Sequence, residues 1–349
     1  SRGLGDVYKR QLSAFLAKKD VLFSAKRYFV DAMGAMAYGL FATLLVGTIL
    51  KTFGDEFHVH FLSTVVWPFA QQATGPAIAL AIAYSLRAPQ LVLFSSAVVG
   101  VAAYQLGGPL GVFLSSIIAV ECGKLISKET RIDIVITPIV TVLIGILIAQ
   151  FAGPSVQQIM LWLGQIIGQS TNANPILMGI VIAVLVGMTL TLPISSAALC
   201  LMLELDGLAA GAATAGCCAQ MIGFATISFR ENGIQGFLAQ GLGTSMLQMP
   251  NIYKNWRIWI PPTLSAAILG PIATTVLLME NTALESGMGT CGLVGQIGTW
   301  NAMKNEFSTS SILLKISILH FILPAILAYI IYCILKKINW IRTGDLKIF

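Results

Sequence analysis

The sequence predicts an all-α, polytopic integral membrane protein with about ten transmembrane helices, and two observations support this. Only 10% of the 349 residues are charged and 56% are hydrophobic, whereas a soluble domain carries about 25% charged residues. Five long stretches contain no Asp, Glu, Lys or Arg, and about 20 consecutive apolar residues span a bilayer as a helix. These stretches are residues 32–50, 57–86, 88–120, 134–203 and 207–229.

The predicted elements follow these runs in order. Residues 1–11 look unrelated to the rest and are expected to be a non-native leader, and residues 12–28 read as a basic amphipathic lead-in. A transmembrane domain over 29–336 and a cytoplasmic tail over 337–349 complete the predicted organisation. Spans or part-spans are expected at 29–50, 62–86, 90–106, 109–126, 133–152, 174–192, 193–205, 207–228, 234–249, 258–279 and 311–335.

Glycine and proline interrupt three apolar segments, which we expect to be re-entrant hairpins. They are residues 109–126, 234–249 and 287–299. Irregular backbone at membrane depth is tolerated only where protein or a cavity covers it. Such hairpins would therefore mark the interior of the domain.

The basic residues form short clusters beside the apolar runs, which is the positive-inside pattern. This pattern places the N-terminus in the cytoplasm and suggests the same side for the two internal clusters. The net charge of +6 therefore indicates membrane orientation, and we expect no nucleic-acid partner. The clusters are Lys18, Lys19, Lys26 and Arg27; Lys124, Lys128 and Arg131; Lys254 and Arg257; and Lys336, Lys337 and Arg342.

Five short matches, kept in the same order, predict an internal two-fold repeat with halves of about 29–172 and 174–302, followed by a last helix at 311–335. If both central basic clusters face the cytoplasm, the halves are related in parallel. Chance recurrence of Gly, Leu, Ile and Pro is the competing interpretation. The matches pair 45–50 with 185–190, Pro68 with Pro193, Gly108 and Gly111 with Gly233 and Gly236, 134–138 with 258–262, and 164–166 with 295–297.

A first candidate site is the stretch 226–236, where an apolar run leads into Arg230, Glu231 and Asn232 and then a glycine-rich segment with Gln235. Ionisable residues at bilayer depth are functional candidates because burying a charge there is costly. Carboxylate and amide groups suit sugar hydroxyls, which need both donors and acceptors. The competing interpretation is a loop with a solvated Arg–Glu pair at the membrane edge.

A second candidate site begins at Glu280 and Asn281 and runs through Gly287 to Gln296. It repeats the order of the first, with a carboxylate and an amide before flexible backbone. We therefore expect one site between the two stretches, with two independent loops as the alternative.

Other polar residues in the apolar runs give weaker signals. Gln71 and Gln72 follow Pro68 in an uncharged run and are expected to face protein or a cavity, although helix–helix hydrogen bonding explains them almost as well. Glu121 is expected to pair with Lys124 at the membrane interface. His320 is expected to be a hydrogen-bonded packing histidine.

The pattern supports neither a metal site nor a cofactor. The chain has three histidines and no clustered carboxylates of the kind that bind a catalytic metal. It also has no Walker phosphate-binding loop, so we expect no nucleotide hydrolysis by this chain.

Four motifs resemble a bacterial membrane family, over about residues 25–335. They are residues 232–251, 258–262, 270–274 and 287–297. The family comprises EIIC-like membrane components (IIC) of the sugar phosphotransferase system, and toxin-regulator membrane proteins of the perfringolysin-regulator type.

The resemblance implies a permease component in the bacterial cytoplasmic membrane that binds a sugar and carries it inward. A separate cytoplasmic IIB chain, charged by IIA, would phosphorylate the sugar, because no fused IIA or IIB domain is visible after residue 336. Group-translocating phosphotransferase activity would then require these partner subunits, and a homodimer is one expected assembly. Better-known IIC proteins hold the reacting hydroxyl with a Glu and a His, whereas neither glycine-rich motif here contains a His.

The prediction from the sequence is therefore a sugar permease. Its catalytic carboxylate would be Glu231 or Glu280, and the substrate-binding residues would be Asn232, Gln235, Asn281, Gln296, Gln71 and Gln72. The alternatives are a small-solute transporter without phosphorylation and a membrane sensor that regulates gene expression. The sensor is physically weaker, because no cytoplasmic output domain is visible.

Overall fold

The computed structural model describes residues 11, 13–171 and 174–348, and these residues fold into helices without a β-strand. Six of the helices are long and apolar enough to cross a membrane, which confirms the predicted class of helical membrane protein. The predicted leader lies outside the described residues apart from Gln11. The main helices within the described ranges are α1 (Arg27–Asp55), α2 (Thr74–Ser85), α3 (Gln90–Ile126), α4 (Asp133–Thr171), α5 (Pro175–Thr191), α6 (Gly207–Ile227), α7 (Phe229–Leu238), α8 (Trp256–Val276), α9 (Val294–Met303) and α10 (Thr309–Lys337).

The described residues pack into two units. Unit 1 holds those of Ser1–Leu40 and Gln72–Val156, and unit 2 those of Phe41–Gln71 and Gln157–Phe349. These boundaries differ from those of the predicted halves, so the duplication stays a prediction.

In unit 1, α3 reverses direction at Gly107 and Gly108, whose backbone leaves the helical region. Gly108 has a φ of 58°, a conformation that glycine adopts without a Cβ penalty. After the reversal Gly111 lies against the Ala103 carbonyl and Gly123 against Val92. The helix α3 therefore consists of two antiparallel parts, residues 90–106 and 109–126. These bounds are those of two separate segments predicted from the sequence.

A buried charge network joins the lead-in to the end of α3. Lys124 is 2% exposed and pairs with Glu121 at 3.1 Å, as predicted. Its ammonium also donates to the Leu86 carbonyl at 3.0 Å. Arg27 donates to Asp20 at 2.7 Å, and this hydrogen bond holds the pKa of the Asp20 carboxyl below its usual value. The network brings the first two basic clusters to one end of unit 1.

In unit 2, the buried helix α6 packs against both α5 and α8, which also pack against each other, and small residues allow close approach of the three backbones. A Cβ on Gly216 would collide with the Ala183 carbonyl, and one on Gly270 would collide with Gly179. Without a hydrophobic driving force in lipid, helices associate through such close packing. The other helices of unit 2 therefore pack around α6.

Three segments of unit 2 run part of the way along α6 and then turn back. The first is α5 with the following residues, which turns after Thr191 and returns to the start of α6. The second leaves the end of α6, continues through α7, turns near Ser245 and returns through 249–254. The third starts beside Gly207, turns at 289–293 and returns through α9.

Candidate functional site

The turns of the first two segments meet on α6 at Gln220, about two thirds of the way along the helix. Thr191 and Ser245 share a hydrogen bond of 2.8 Å, and Thr191 also donates to the side-chain oxygen Oε1 of Gln220 at 3.2 Å. Trp259 donates its indole N–H to the same oxygen at 2.9 Å, and the Gln220 amide donates to Thr263 at 3.1 Å. We call the buried set Thr191, Gln220 and Ser245 the polar centre.

The third turn joins the second beside the polar centre. Thr290 is fully buried and donates its hydroxyl to the Gly241 carbonyl. Its Oγ1 also lies 3.5 Å from the Met221 sulfur, one residue beyond Gln220 on α6. All three reversals therefore converge on one short stretch of α6, with polar groups at each turn.

Beside this convergence, Gln296 of α9 faces His320 of α10. The Gln296 amide nitrogen lies 3.2 Å from His320 Nδ1 and 3.4 Å from the Cys218 sulfur. Three buried polar atoms in this cluster have no hydrogen-bond partner among the described residues: Gln296 Oε1, Thr299 Oγ1 and His320 Nε2. An unpaired buried polar group costs about 1–3 kcal/mol. A polar solute would satisfy these groups.

The side chains of Glu231 and Asn232 are occupied by hydrogen bonds to another segment of the same chain. The Glu231 carboxylate accepts hydrogen bonds from the backbone N–H groups of Gly344 at 3.0 Å and Leu346 at 3.1 Å. Asn232 donates to the Leu346 carbonyl at 2.8 Å and accepts from the Ile348 N–H at 2.8 Å. The segment that follows α10 thus occupies the first candidate site.

Asn281 lies at the other end of α6, where its side chain holds the third segment. It donates to Thr214 Oγ1 at 2.7 Å and to the Gly295 carbonyl at 3.0 Å, and it accepts from the Thr282 N–H at 2.8 Å. Its backbone N–H bonds to the Gly207 carbonyl at 3.3 Å.

The expectation of one site between the two carboxylate–amide pairs is wrong. Helix α6 has 21 residues, about 31 Å at 1.5 Å per residue. Glu231 follows its last turn, and Glu280, which is half-buried, lies beside its first. The two pairs are therefore separated by the length of the helix.

The remaining predicted residues lie on the surface of the chain. Gln71, Gln72 and Gln235 are exposed. Of the eight site residues predicted from the sequence, Gln296 is the one that the structure places in the buried cluster with unpartnered atoms. His320 makes the predicted hydrogen bond through Nδ1, but its Nε2 has no partner within the described residues.

Sequence reasoning missed Thr191, Gln220, Ser245 and Thr299, and it included Thr290 in the second candidate stretch without selecting it as a site residue. They lie in apolar or glycine-rich stretches, where a hydroxyl or amide is usually explained by a helix–helix hydrogen bond. The available signal was position: Thr191 comes just before Pro193, and Ser245 follows Gly241 and Gly243.

Six candidate membrane spans among the described residues define a multi-pass membrane protein. The family description "Phosphotransferase system, EIIC" matches residues 30–348, and the chain belongs to this family. It is therefore a sugar permease component of a phosphotransferase system, a role that implies a sugar substrate and IIB and IIA phosphoryl-carrier partners. No curated protein and no solved structure matches the chain.

Proposed function

We propose that the chain binds its sugar at Gln296, Thr299 and His320, beside the polar centre, and that a separate IIB chain phosphorylates it. The observation that carries this proposal is that Gln296 Oε1, Thr299 Oγ1 and His320 Nε2 are buried and have no hydrogen-bond partner among the described residues. Thr299 follows Gln296 by three residues, so both side chains lie on one face of α9. His320 of α10 contacts Gln296.

These groups match the chemistry of a sugar hydroxyl, which both donates and accepts. The Gln296 oxygen accepts, the Thr299 hydroxyl does both, and His320 Nε2 does either according to its tautomer. None of these three residues is a carboxylate. Glu231 and Glu280 stay predictions for the group that orients or deprotonates the hydroxyl, and either would have to approach the cluster during the transport cycle.

The reversals around α6 support an alternating-access mechanism. We propose that the segments turning at Ser245 and at 289–293 are re-entrant hairpins entering from opposite faces of the bacterial inner membrane. Their contact at Thr290 and Gly241 would separate the two faces, and movement of one hairpin against the other would expose the sugar to each face in turn. The N-terminus and the basic clusters would lie in the cytoplasm.

One local feature also supports the proposed duplication. Gly108 has φ 58° and ψ −156°, and Gly233 has φ 60° and ψ −159°. These glycines are paired by the predicted repeat, and both conformations are open mainly to glycine. The same backbone turn at equivalent positions is what a duplicated segment would retain.

The test is uptake of a panel of ¹⁴C-labelled hexoses, N-acetylhexosamines and hexitols by cells that express the chain with its IIA and IIB partners. Gln296→Ala should lower uptake at least about tenfold, the effect of losing one well-formed hydrogen bond. Asn301→Ala, an exposed amide on the same helix, is the matched control and should stay within about twofold.

Thr299→Val separates binding from packing. Valine removes an unpartnered hydroxyl and keeps the shape, so the sugar-free protein should become more stable by about 1 kcal/mol while uptake falls. Unchanged uptake in both Gln296→Ala and Thr299→Val would refute the proposed site. Uptake that survives in cells without the phosphoryl carriers would favour a transporter that does not phosphorylate.

A further inference from the structure

The segment 340–348, which follows α10, is held against unit 2 mainly through its backbone. Besides Glu231 and Asn232, Gln248 donates to the Leu346 carbonyl at 3.0 Å and Asn251 donates to the Lys347 carbonyl at 2.9 Å. Side chains that bind backbone groups hold an extended chain in one register.

Two apolar side chains of the segment are buried in unit 2. Leu346 is 0% exposed and Ile341 is 1% exposed, and both pack in a cluster with Phe224 and Ile227 of α6. The segment therefore combines two buried apolar side chains with a row of backbone hydrogen bonds. Its detachment would cost free energy, and it would break contacts only at this end of unit 2.

The same segment is tied to the basic residues at this end of the unit. Asn255 donates to the Trp340 carbonyl at 3.0 Å and to the Asp345 carboxylate at 2.7 Å. The Arg257 guanidinium lies 5.0 Å from the centre of the Trp340 ring. Lys254, Lys336 and Arg342 flank these contacts in the sequence. The segment thus closes the end of unit 2 that the positive-inside rule assigns to the cytoplasm.

Amide side chains connect this segment to the turns around α6. The Gln248 amide that holds Leu346 also donates to Gln240 at 2.9 Å. Gln240 in turn donates to Ser228 Oγ at 2.8 Å and to the Gly236 carbonyl at 2.9 Å. Its neighbour Gly241 accepts the Thr290 hydroxyl, where the second and third segments meet. Hydrogen bonds therefore connect the segment to Gln240, and the next residue along the chain contacts the third segment beside the polar centre.

We propose that residues 340–348 form a latch that closes the cytoplasmic side of the polar centre and must detach before Ser245 becomes accessible from that side. In the latched state, the row of bonds to Glu231, Asn232, Gln248 and Asn251 holds the returning arm of the second segment in place. Release removes the bond to Gln248 and frees that arm to move. The link to sugar release rests on the proposed transport function, whereas the latch itself does not.

The first measurement is hydrogen exchange of the full-length protein in detergent. The N–H groups of Gly344, Leu346 and Ile348 are donors to Glu231 and Asn232, so they should exchange slowly. Leu346→Asp places a charge in the apolar cluster and should accelerate their exchange at least about tenfold. Lys347→Asp is the matched control, because the Lys347 side chain is exposed, and it should preserve the protection.

The second measurement is labelling of Ser245→Cys by a membrane-impermeant maleimide in inside-out vesicles, read by mass spectrometry at that position. Adding Leu346→Asp should raise the labelling rate at least about tenfold over the Lys347→Asp background. A disulfide between Asn255→Cys and Asp345→Cys, formed before labelling, should suppress it, and reduction should restore it. The tether keeps the proposal testable if Leu346→Asp fails to fold.

Three outcomes would overturn the latch. Its N–H groups could exchange freely in the unmodified protein. Position 245 could stay unlabelled while those groups exchange rapidly in the Leu346→Asp variant. Labelling could also be equal with the tether formed and reduced. Both measurements use no sugar, so a failure of the latch is distinguishable from a failure of the proposed transport function.

Discussion

The Asn281→Ala variant tests whether the Asn281 amide fixes the third segment to α6 or binds substrate, as the sequence predicts. The side chain is fully buried and makes three hydrogen bonds, to Thr214, Gly295 and Thr282. Hydrogen bonds inside membrane proteins contribute about 0.6 kcal/mol on average, so three contribute about 2 kcal/mol. Leaving one buried partner unpaired raises the cost to about 4 kcal/mol.

The assay is thermal unfolding of the purified protein in detergent, followed by fluorescence. A loss of about 2–4 kcal/mol should lower Tm by about 4–10 °C. Asn301→Ala removes an exposed amide from α9 and should shift the free energy of unfolding by less than about 0.5 kcal/mol. The comparison isolates burial, because the substitution is the same in both variants.

An Asn281→Ala variant that melts like the unmodified protein would refute this reasoning. If the same variant also lost sugar uptake, a substrate-binding role would be supported instead. A lower Tm in the absence of sugar identifies Asn281 as the residue that fixes the third segment to α6.

Three further outcomes follow from the packing. Lys124→Met should cost about 1.5–3 kcal/mol, because it removes the nearer of the two cations beside the buried Glu121 carboxylate and leaves Arg27 at 3.9 Å, and adding Glu121→Gln should restore part of the loss in the same melting assay. Gly216→Leu should prevent recovery of monodisperse protein by size-exclusion chromatography, because the new side chain collides with an α5 carbonyl. Asp20, whose pKa is lowered by Arg27, should keep the lead-in protected from pepsin, a protease that is active in acid, above pH about 4 and release it as pH falls through the lowered pKa. Asp20→Asn should remove this acid dependence.

The predictable part of the fold came from local chemistry. Charge-free apolar runs must form helices in a bilayer, because the backbone has no other way to satisfy its hydrogen bonds there. The pairing of Glu121 with Lys124 could also be predicted from local sequence, because two side chains three residues apart lie on the same face of a helix. The reversal at Gly108 followed from the glycine pair that interrupts an apolar run.

The candidate site was predictable only in part. Gln296 stood out because a glutamine in a glycine-rich apolar segment needs a partner, and the structure gives its nitrogen one and leaves its oxygen without one. Glu231 and Asn232 had the same local appearance. Their partners are backbone groups more than 110 residues away along the chain, so no local pattern separates an occupied polar pair from an open one.

The sequence by itself determined the class of protein, the helical runs, the family resemblance and the positions where helices are interrupted. These follow from hydrophobicity, charge and glycine content, which act over a few residues. Only the tertiary structure decided that Thr191, Ser245 and Thr290 converge on α6, that Glu231 and Asn281 lie at opposite ends of that helix, and that the segment after α10 closes one of those ends. A polar side chain in an apolar run must find a partner, but which partner it finds is set by long-range packing of the helices.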